Sequence, residues 1–374
     1  MTDDRIKVLV ITSSISKNIG GLATLSHSVV EQFPALGVDY HVVSDLKHGV
    51  EEQQSNVLLP PNSLKNLVRN CQKVRVLARS CTVVHAFDGW PYGVYGLFAT
   101  WGTSKKLFIS GIGTYSVAPL AYRIQGFLLR LAYKKARKIF CISDYTQKKL
   151  LEKVALTNTQ VVLLGPKLLP QISQETIMRL REEYQLGAKR PIFLTVGDIK
   201  ARKGQLDTLK ALALLKERFP NFLYVIIGAV SSQEYYQQIL DFVTTNGLAN
   251  NIIFPKGVTT DDKIAFFYSI SDIFILNSNN HKDSFEGFGL VFLEAAQFGK
   301  PVIGSRDCGI ESALRDGYNG YLTNQADAID IAKNIELIMN QHYEEFSNNS
   351  RQFASSFSWR KTAEEYIREY RVVN

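Results

Sequence analysis

Two glutamates eight residues apart, Glu286 and Glu294, stand in the stretch Asp-Ser-Phe-Glu-Gly-Phe-Gly-Leu-Val-Phe-Leu-Glu-Ala-Ala-Gln-Phe-Gly-Lys-Pro at 283–301. Carboxylates accept hydrogen bonds from hydroxyls, which suits them to sugars and riboses. The segment 288–298 is mostly apolar and helix-forming, and it ends in Gly299 and Pro301, the expected stop signals. A glycine-rich turn therefore feeds a short buried helix whose unpaired N–H groups carry about half a positive charge. The backbone at Phe288, Gly289 and Leu290 could hold a phosphate there, with Gly287 and Gly289 permitting close approach. Eight residues at about 1.5 Å of rise each would set the carboxylates about 12 Å apart, the scale of a sugar at one end and a ribose at the other. An ordinary buried helix, with one glutamate favoured by the dipole and the other paired to a basic neighbour, satisfies the same residues. Lys200, Arg202 and Lys203 form a second candidate set, crowded into the loop directly after Gly197. A diphosphate would want cations there; a solvated basic loop is the plainer alternative.

These residues need a scaffold, and the chain alternates strand-like and helical segments throughout. Strands are expected at 6–12, 39–43, 83–85, 106–110, 138–142 and 160–164 with helices between, which implies a parallel, doubly wound sheet. The first strand leads to Asn18-Ile-Gly-Gly-Leu-Ala-Thr24. Gly20 and Gly21 permit a ligand at the sheet's carboxyl edge, although a tight loop needs them equally. Pro166, Pro170 and a polar helix starting near Ser173 interrupt the pattern and mark a boundary. A second series follows, with strands at 191–197, 222–228, 252–255, 273–277 and 301–305 and a helix at 205–218. The reading is α/β, one Rossmann-like sheet after another. In the tail, Trp359, Ala363, Tyr366, Ile367 and Tyr370 recur at helical spacing and make an amphipathic face that needs a partner.

At 374 residues, 45% hydrophobic and 21% charged, the chain can fill two α/β cores. Its start, Met1-Thr-Asp-Asp-Arg-Ile-Lys, is acidic and runs straight into a strand, so no signal peptide is expected. No run approaches the ~20 continuous apolar residues of a membrane span. Cys71, Cys81, Cys141 and Cys308 are scattered, which suits a reduced, cytoplasmic setting. His41, His85, His281 and His342 lie apart from any Cys or His at ligand spacing, so no metal is expected. Net charge is +8, and residues 1–170 hold about half of the 43 Lys+Arg but under a third of the 35 Asp+Glu. Lys65, Arg69, Lys73, Arg75 and Arg79, then Arg123, Arg130, Lys134, Lys135, Arg137 and Lys138, alternate with apolar residues at helical spacing. Such helices suit a peripheral contact with an anionic membrane, at its cytoplasmic face; a solvated face on a core helix is the other reading. Nucleic acid is not expected, since no motif for it is present.

The segment 283–301, continued by Pro301-Val-Ile-Gly-Ser305, Gly309-Ile-Glu311 and Asp316-Gly-Tyr-Asn-Gly320, resembles the signature of retaining glycosyltransferases of family 4. The resemblance implies the GT-B fold, two Rossmann-like doubly wound parallel-sheet domains facing across a cleft. Residues 1–170 would be the acceptor-side domain and 171–356 the nucleotide-sugar donor domain, with a C-terminal helix at 357–374 crossing back onto the first. It implies transfer of a hexosyl unit from a UDP- or GDP-sugar to a glycan or lipid-linked acceptor in surface polysaccharide or glycoconjugate synthesis, with no metal cofactor. Glu286 would bind sugar hydroxyls and stabilise developing positive charge, Glu294 would bind ribose, and Lys203, paired with Gly204 as in the family, would contact the donor phosphates. Gly21, Gly197, Lys200, Arg202, Gly287, Phe288, Gly289 and Leu290 would complete the donor site. Two positions depart from the pattern: Asp198 stands where an arginine is usual, leaving Arg202 or Lys200 to supply a second charge, and Ile112 stands where many relatives have a histidine. His85 is a partial substitute for that histidine or an ordinary strand-end residue. Ser143-Asp-Tyr-Thr146 resembles the family's helix start after the next strand, which an N-cap explains equally. A non-catalytic GT-B partner protein, or a GT-B epimerase or phosphorylase, is the alternative.

Overall fold

The computed structural model describes residues 6–15, 20–45 and 54–372. Asn18 and Ile19 of the Gly-Gly loop lie outside the described residues. The chain divides into two compact units, Met1–Gly165 with Ser358–Asn374, and Pro166–Phe357. The sequence reading drew these boundaries at 170 and 357.

In the first unit, strands β1 (Ile6–Ile11), β2 (Val38–Asp45), β3 (Gln54–Leu58), β4 (Val83–Phe87), β5 (Lys106–Gly111), β6 (Lys138–Cys141) and β7 (Thr159–Val161) form one parallel sheet. Its order is β3-β2-β1-β4-β5-β6-β7. Helices cover both faces of such a sheet, so its central strands are apolar without alternation; every residue of β4 is buried. The order reverses between β1 and β4. In open α/β sheets that reversal opens a crevice beyond the strands' carboxyl ends.

The terminal helix, Trp359–Arg371, buries Trp359, Ala363, Tyr366, Ile367 and Tyr370 in this first unit. Its anchor is His85, fully buried on β4. His85 Nδ1 lies 2.5 Å from the Tyr370 hydroxyl and Nε2 lies 3.0 Å from Ser110 Oγ. Phe87, Phe140, Tyr366 and Tyr370 close around the ring. Burial pushes its pKa well below the ordinary value, so the imidazole is neutral. With both nitrogens engaged inside the core, His85 is no substitute for a histidine at Ile112. Thr362 also donates to the Leu163 carbonyl at 2.8 Å. A Cβ on Gly165 would lie 2.3 Å from the Trp359 amide nitrogen, so glycine lets the two backbones meet.

The second unit repeats the design with β8 (Ile192–Val196), β9 (Leu223–Ile227), β10 (Ile252–Ile253), β11 (Ile273–Leu276), β12 (Val302–Ser305) and β13 (Gly320–Thr323), in the order β10-β9-β8-β11-β12-β13. All pairs are parallel, and the order reverses between β8 and β11. Two strands escape the sequence pattern. β3 is a polar edge strand that buries only Gln54 and Leu58, and β13 is four residues long and begins inside the glycine-containing Asp316-Gly-Tyr-Asn-Gly320 segment.

Replacing Tyr366, fully buried between the helix and His85, by alanine should cost about 3–5 kcal/mol in urea unfolding. Arg368→Ala, on the exposed side of the same helix, should change stability by less than about 0.5 kcal/mol. Equally small effects would mean that the helix is not part of the first unit's core.

Candidate active site

Two loops meet beyond the carboxyl ends of β8 and β11. After β8, Ile199 bridges to Val230 and is buried, which anchors the loop from below. A short turn, Ala201–Lys203, closes on Gly204 at φ 65. A Cβ on Gly204 would lie 1.8 Å from the Asn277 carbonyl oxygen, so only glycine lets this loop rest on the end of β11. The Asn279 amide donates to the Arg202 carbonyl at 2.8 Å. The Lys203 stem runs past Gly197, whose φ is 155, with side-chain atoms 3.6–3.8 Å from where a Cβ would stand.

The consequence is a three-residue charge cluster. Lys203 Nζ lies 2.6 Å and Arg202 Nη1 3.0 Å from the same Oε2 of Glu286, and Ser278 Oγ donates to that oxygen at 3.4 Å. The Lys203, Arg202 and Glu286 side chains are only 12%, 21% and 15% exposed. Burial by itself would raise the Glu286 pKa; the Lys203 and Arg202 charges and hydrogen bonds overcome it and hold the carboxyl down to about 2. Lys200 instead pairs with Asp198 at 2.9 Å. The second positive charge beside Lys203 is thus that of Arg202.

The helix that follows is Leu290–Gln297, shorter than the 288–298 expected, and it starts at Gly289 without a side-chain cap. Glu286 lies in the preceding loop and only Glu294 lies on the helix, so the helical rise does not set their spacing. Gly289 has φ 90, and a Cβ on it would lie 2.9 Å from the Phe292 ring. Gly287 is approached not by open space but by protein: a Cβ on Gly309 would lie 2.0 Å from its carbonyl oxygen, and the Gly309 amide donates to the Glu286 carbonyl at 2.7 Å. Phe288 is buried, and Leu290 opens the helix.

Glu294 accepts a hydrogen bond from the Tyr268 hydroxyl on Oε2 at 3.0 Å. Burial raises its pKa, against the hydrogen bond from Tyr268 and the charge of Lys167. Tyr268 is itself fully buried and stacks on Phe298. One carboxylate oxygen is thus fixed, and Oε1 has no protein donor among the described residues.

In the first unit, Gly20 has φ 93, and Gly21 opens the helix Gly21–Val30. A Cβ at either would meet nothing within 4 Å, so the space over Gly21 is open. The Ile112 amide donates to Ser116 Oγ at 3.0 Å, which donates to Asp88 Oδ1 at 2.6 Å. Asp88 is buried at φ 106, a strained conformation for a residue with a Cβ, and sits just beyond β4 at the first sheet's reversal. Burial pushes its pKa up to about 6. Asp88, Ser278 and Tyr268 are the polar residues sequence reasoning passed over. Asp88 alone left a signal, an acidic residue directly after an apolar strand and before Gly-Trp-Pro.

Among the described residues, no group of three or more His, Cys, Asp or Glu side chains is placed to hold a metal ion, and no helix is long and apolar enough to cross a membrane.

Residues 177–353, just under half of the chain, match the family model described as glycosyl transferases group 1, and the two parallel-sheet units have the GT-B fold. An uncharacterized glycosyltransferase of Methanocaldococcus jannaschii is 25% identical over 360 residues, 92% of each chain. A GDP-mannose-dependent phosphatidylinositol monomannoside mannosyltransferase of Mycolicibacterium smegmatis is 28% identical over 151 residues, 40% of this chain and 38% of that one. The crystal structure of Anabaena HepE with UDP-glucose superposes with a TM-score of 0.81 at 19% identity, over 98% of this chain and 99% of the other.

The Glu286 cluster carries a pH signature. With the folded pKa near 2 and the ordinary value at 4.5, the native state binds fewer protons than the unfolded chain between them. The stabilisation is whole above 4.5 and is lost as pH falls toward 2. The stability gap between wild type and Glu286→Gln should therefore shrink over that window in urea titrations; a gap independent of pH would contradict the cluster.

Proposed function

We propose that the protein is a retaining glycosyltransferase that moves a hexosyl unit from a UDP- or GDP-sugar to a hydroxyl of a glycan or lipid-linked acceptor, in surface polysaccharide or glycoconjugate synthesis. The observation that carries this is the convergence of Lys203 and Arg202 on Glu286, in front of the helix that bears Glu294. Two cations held side by side in a mostly buried site suit a diphosphate leaving group. The donor's diphosphate would take over both cations, and Glu286, released from them, would face the sugar hydroxyls. Glu294, with Oε2 fixed by Tyr268 and Oε1 left over, would bind ribose. The C1–oxygen bond to the diphosphate breaks with its electron pair passing to phosphate. The acceptor oxygen bonds to C1 on the same face, and its proton goes to the departing phosphate. The two cations neutralise the developing charge, which supports a reaction that needs no metal.

The donor alternatives follow the relatives, one GDP-mannose-dependent and one crystallised with UDP-glucose. We place the protein in the cytoplasm, peripheral to the membrane where the acceptor is lipid-linked. A non-catalytic partner protein would bind the donor without turning it over.

A thermal-shift panel of uridine, guanosine and adenosine diphosphates and their sugar conjugates tests the reading. Ligand at ~100 times its dissociation constant adds about 2.7 kcal/mol of stability. One nucleotide series should stabilise wild type, and Glu294→Ala should weaken it by about 1.5–3 kcal/mol. Glu286→Gln should bind the diphosphate at least as tightly, because both cations are freed, yet lose turnover. No response to any nucleotide, or full turnover by Glu286→Gln, would defeat the proposal.

A further inference from the structure

Across residues 53–143 the sequence carries thirteen lysines and arginines and one acidic residue, Asp88. Asp88 is 4% exposed, so this stretch presents cations to solvent with no carboxylate of its own among them. Three helices from it pack side by side: Leu64–Leu77, Val94–Thr100 and Arg123–Lys135. Arg75 of the first donates to the carbonyls of Phe98 and Trp101, at 2.8 and 3.1 Å, and so ties it to the end of the second.

The outward stripe of the third helix departs from that of a water-facing helix, which is polar. Ile124 and Phe127, one turn apart, are 69% and 62% exposed. Leu131 follows half-buried, and Lys134 and Lys135 end the stripe exposed. Beside it Trp101 is 55% exposed, and Leu97, Trp101, Gly102, Leu131 and the two lysines line an open pocket of about 320 Å³. Apolar side chains beside a cationic rim match the two layers of a lipid surface, acyl boundary and phosphate. A nucleic-acid backbone offers the lysines phosphates but gives Ile124 and Phe127 nothing to enter.

We propose that this face docks on an anionic lipid surface, with Ile124, Phe127 and Trp101 entering the headgroup layer and Lys134 and Lys135 pairing with lipid phosphates. It deepens the membrane-face part of the proposed function and rests on that part alone, not on the donor chemistry.

Co-sedimentation of the full chain with vesicles of equal parts phosphatidylglycerol and phosphatidylcholine, without nucleotide or acceptor, tests it. Wild type should bind these and not pure phosphatidylcholine. Lys134→Glu with Lys135→Glu should weaken binding about tenfold or more, and Ile124→Asn with Phe127→Asn by about tenfold. Because all four side chains are exposed, both variants should keep the wild-type Tm and nucleotide response, so a docking failure is read separately from a failure of the transferase assignment. The proposal is overturned if wild type does not bind, if the Ile124 and Phe127 variant binds like wild type, or if duplex DNA outcompetes the vesicles at the same salt.

Discussion

One carboxylate holding two cations organises the second unit. An ammonium and a guanidinium this close repel each other, and in a site where water is mostly excluded the repulsion is strong. Glu286 makes their proximity affordable, and removing it would leave buried positive charge without a partner. The surrounding glycines serve that contact. Gly204 brings the cationic loop onto the end of β11, and Gly309 presses on the turn that carries Glu286. The cluster sits where the strand order reverses, between β8 and β11, the one place in such a sheet where two neighbouring loops diverge and leave a crevice.

The first unit has a different logic. Its core is closed by the chain's last helix, through Tyr366 and Tyr370 against a neutral His85, so the unit is complete only after the other has been threaded. The aromatic residues that close this core, Phe87, Phe140, Tyr366 and Tyr370, are buried, whereas Ile124, Phe127 and Trp101 are more than half exposed.

Much of the fold was legible in the sequence because the central strands are short, mostly apolar runs of four to six residues separated by helical segments. Residue type and position mark the pair Glu286 and Glu294 and the basic loop of Lys200, Arg202 and Lys203 as candidates, and only the family resemblance singles out Lys203 and Gly197. What the sequence does not carry is partnership. Lys200 and Arg202 look equivalent until Asp198 takes the first and Glu286 the second. The spacing of Glu286 and Glu294 reads as two turns of helix, but Gly289 at φ 90 begins the helix late. Tyr268 meets Glu294 from another helix and Asp88 lies in the other unit, while β3 is polar in three of its five residues and β13 begins at Gly320 inside a segment that reads as a turn.

The most direct test of the two-cation seat is calorimetric: the difference in affinity between nucleoside diphosphate and nucleoside monophosphate, measured for wild type and for Arg202→Met with Lys203→Met. A seat for the outer phosphate predicts that wild type favours the diphosphate by about 1.5–3 kcal/mol per charged hydrogen bond and that the double variant loses this preference while still binding the monophosphate. An unchanged preference in the variant would contradict it and move the phosphate elsewhere.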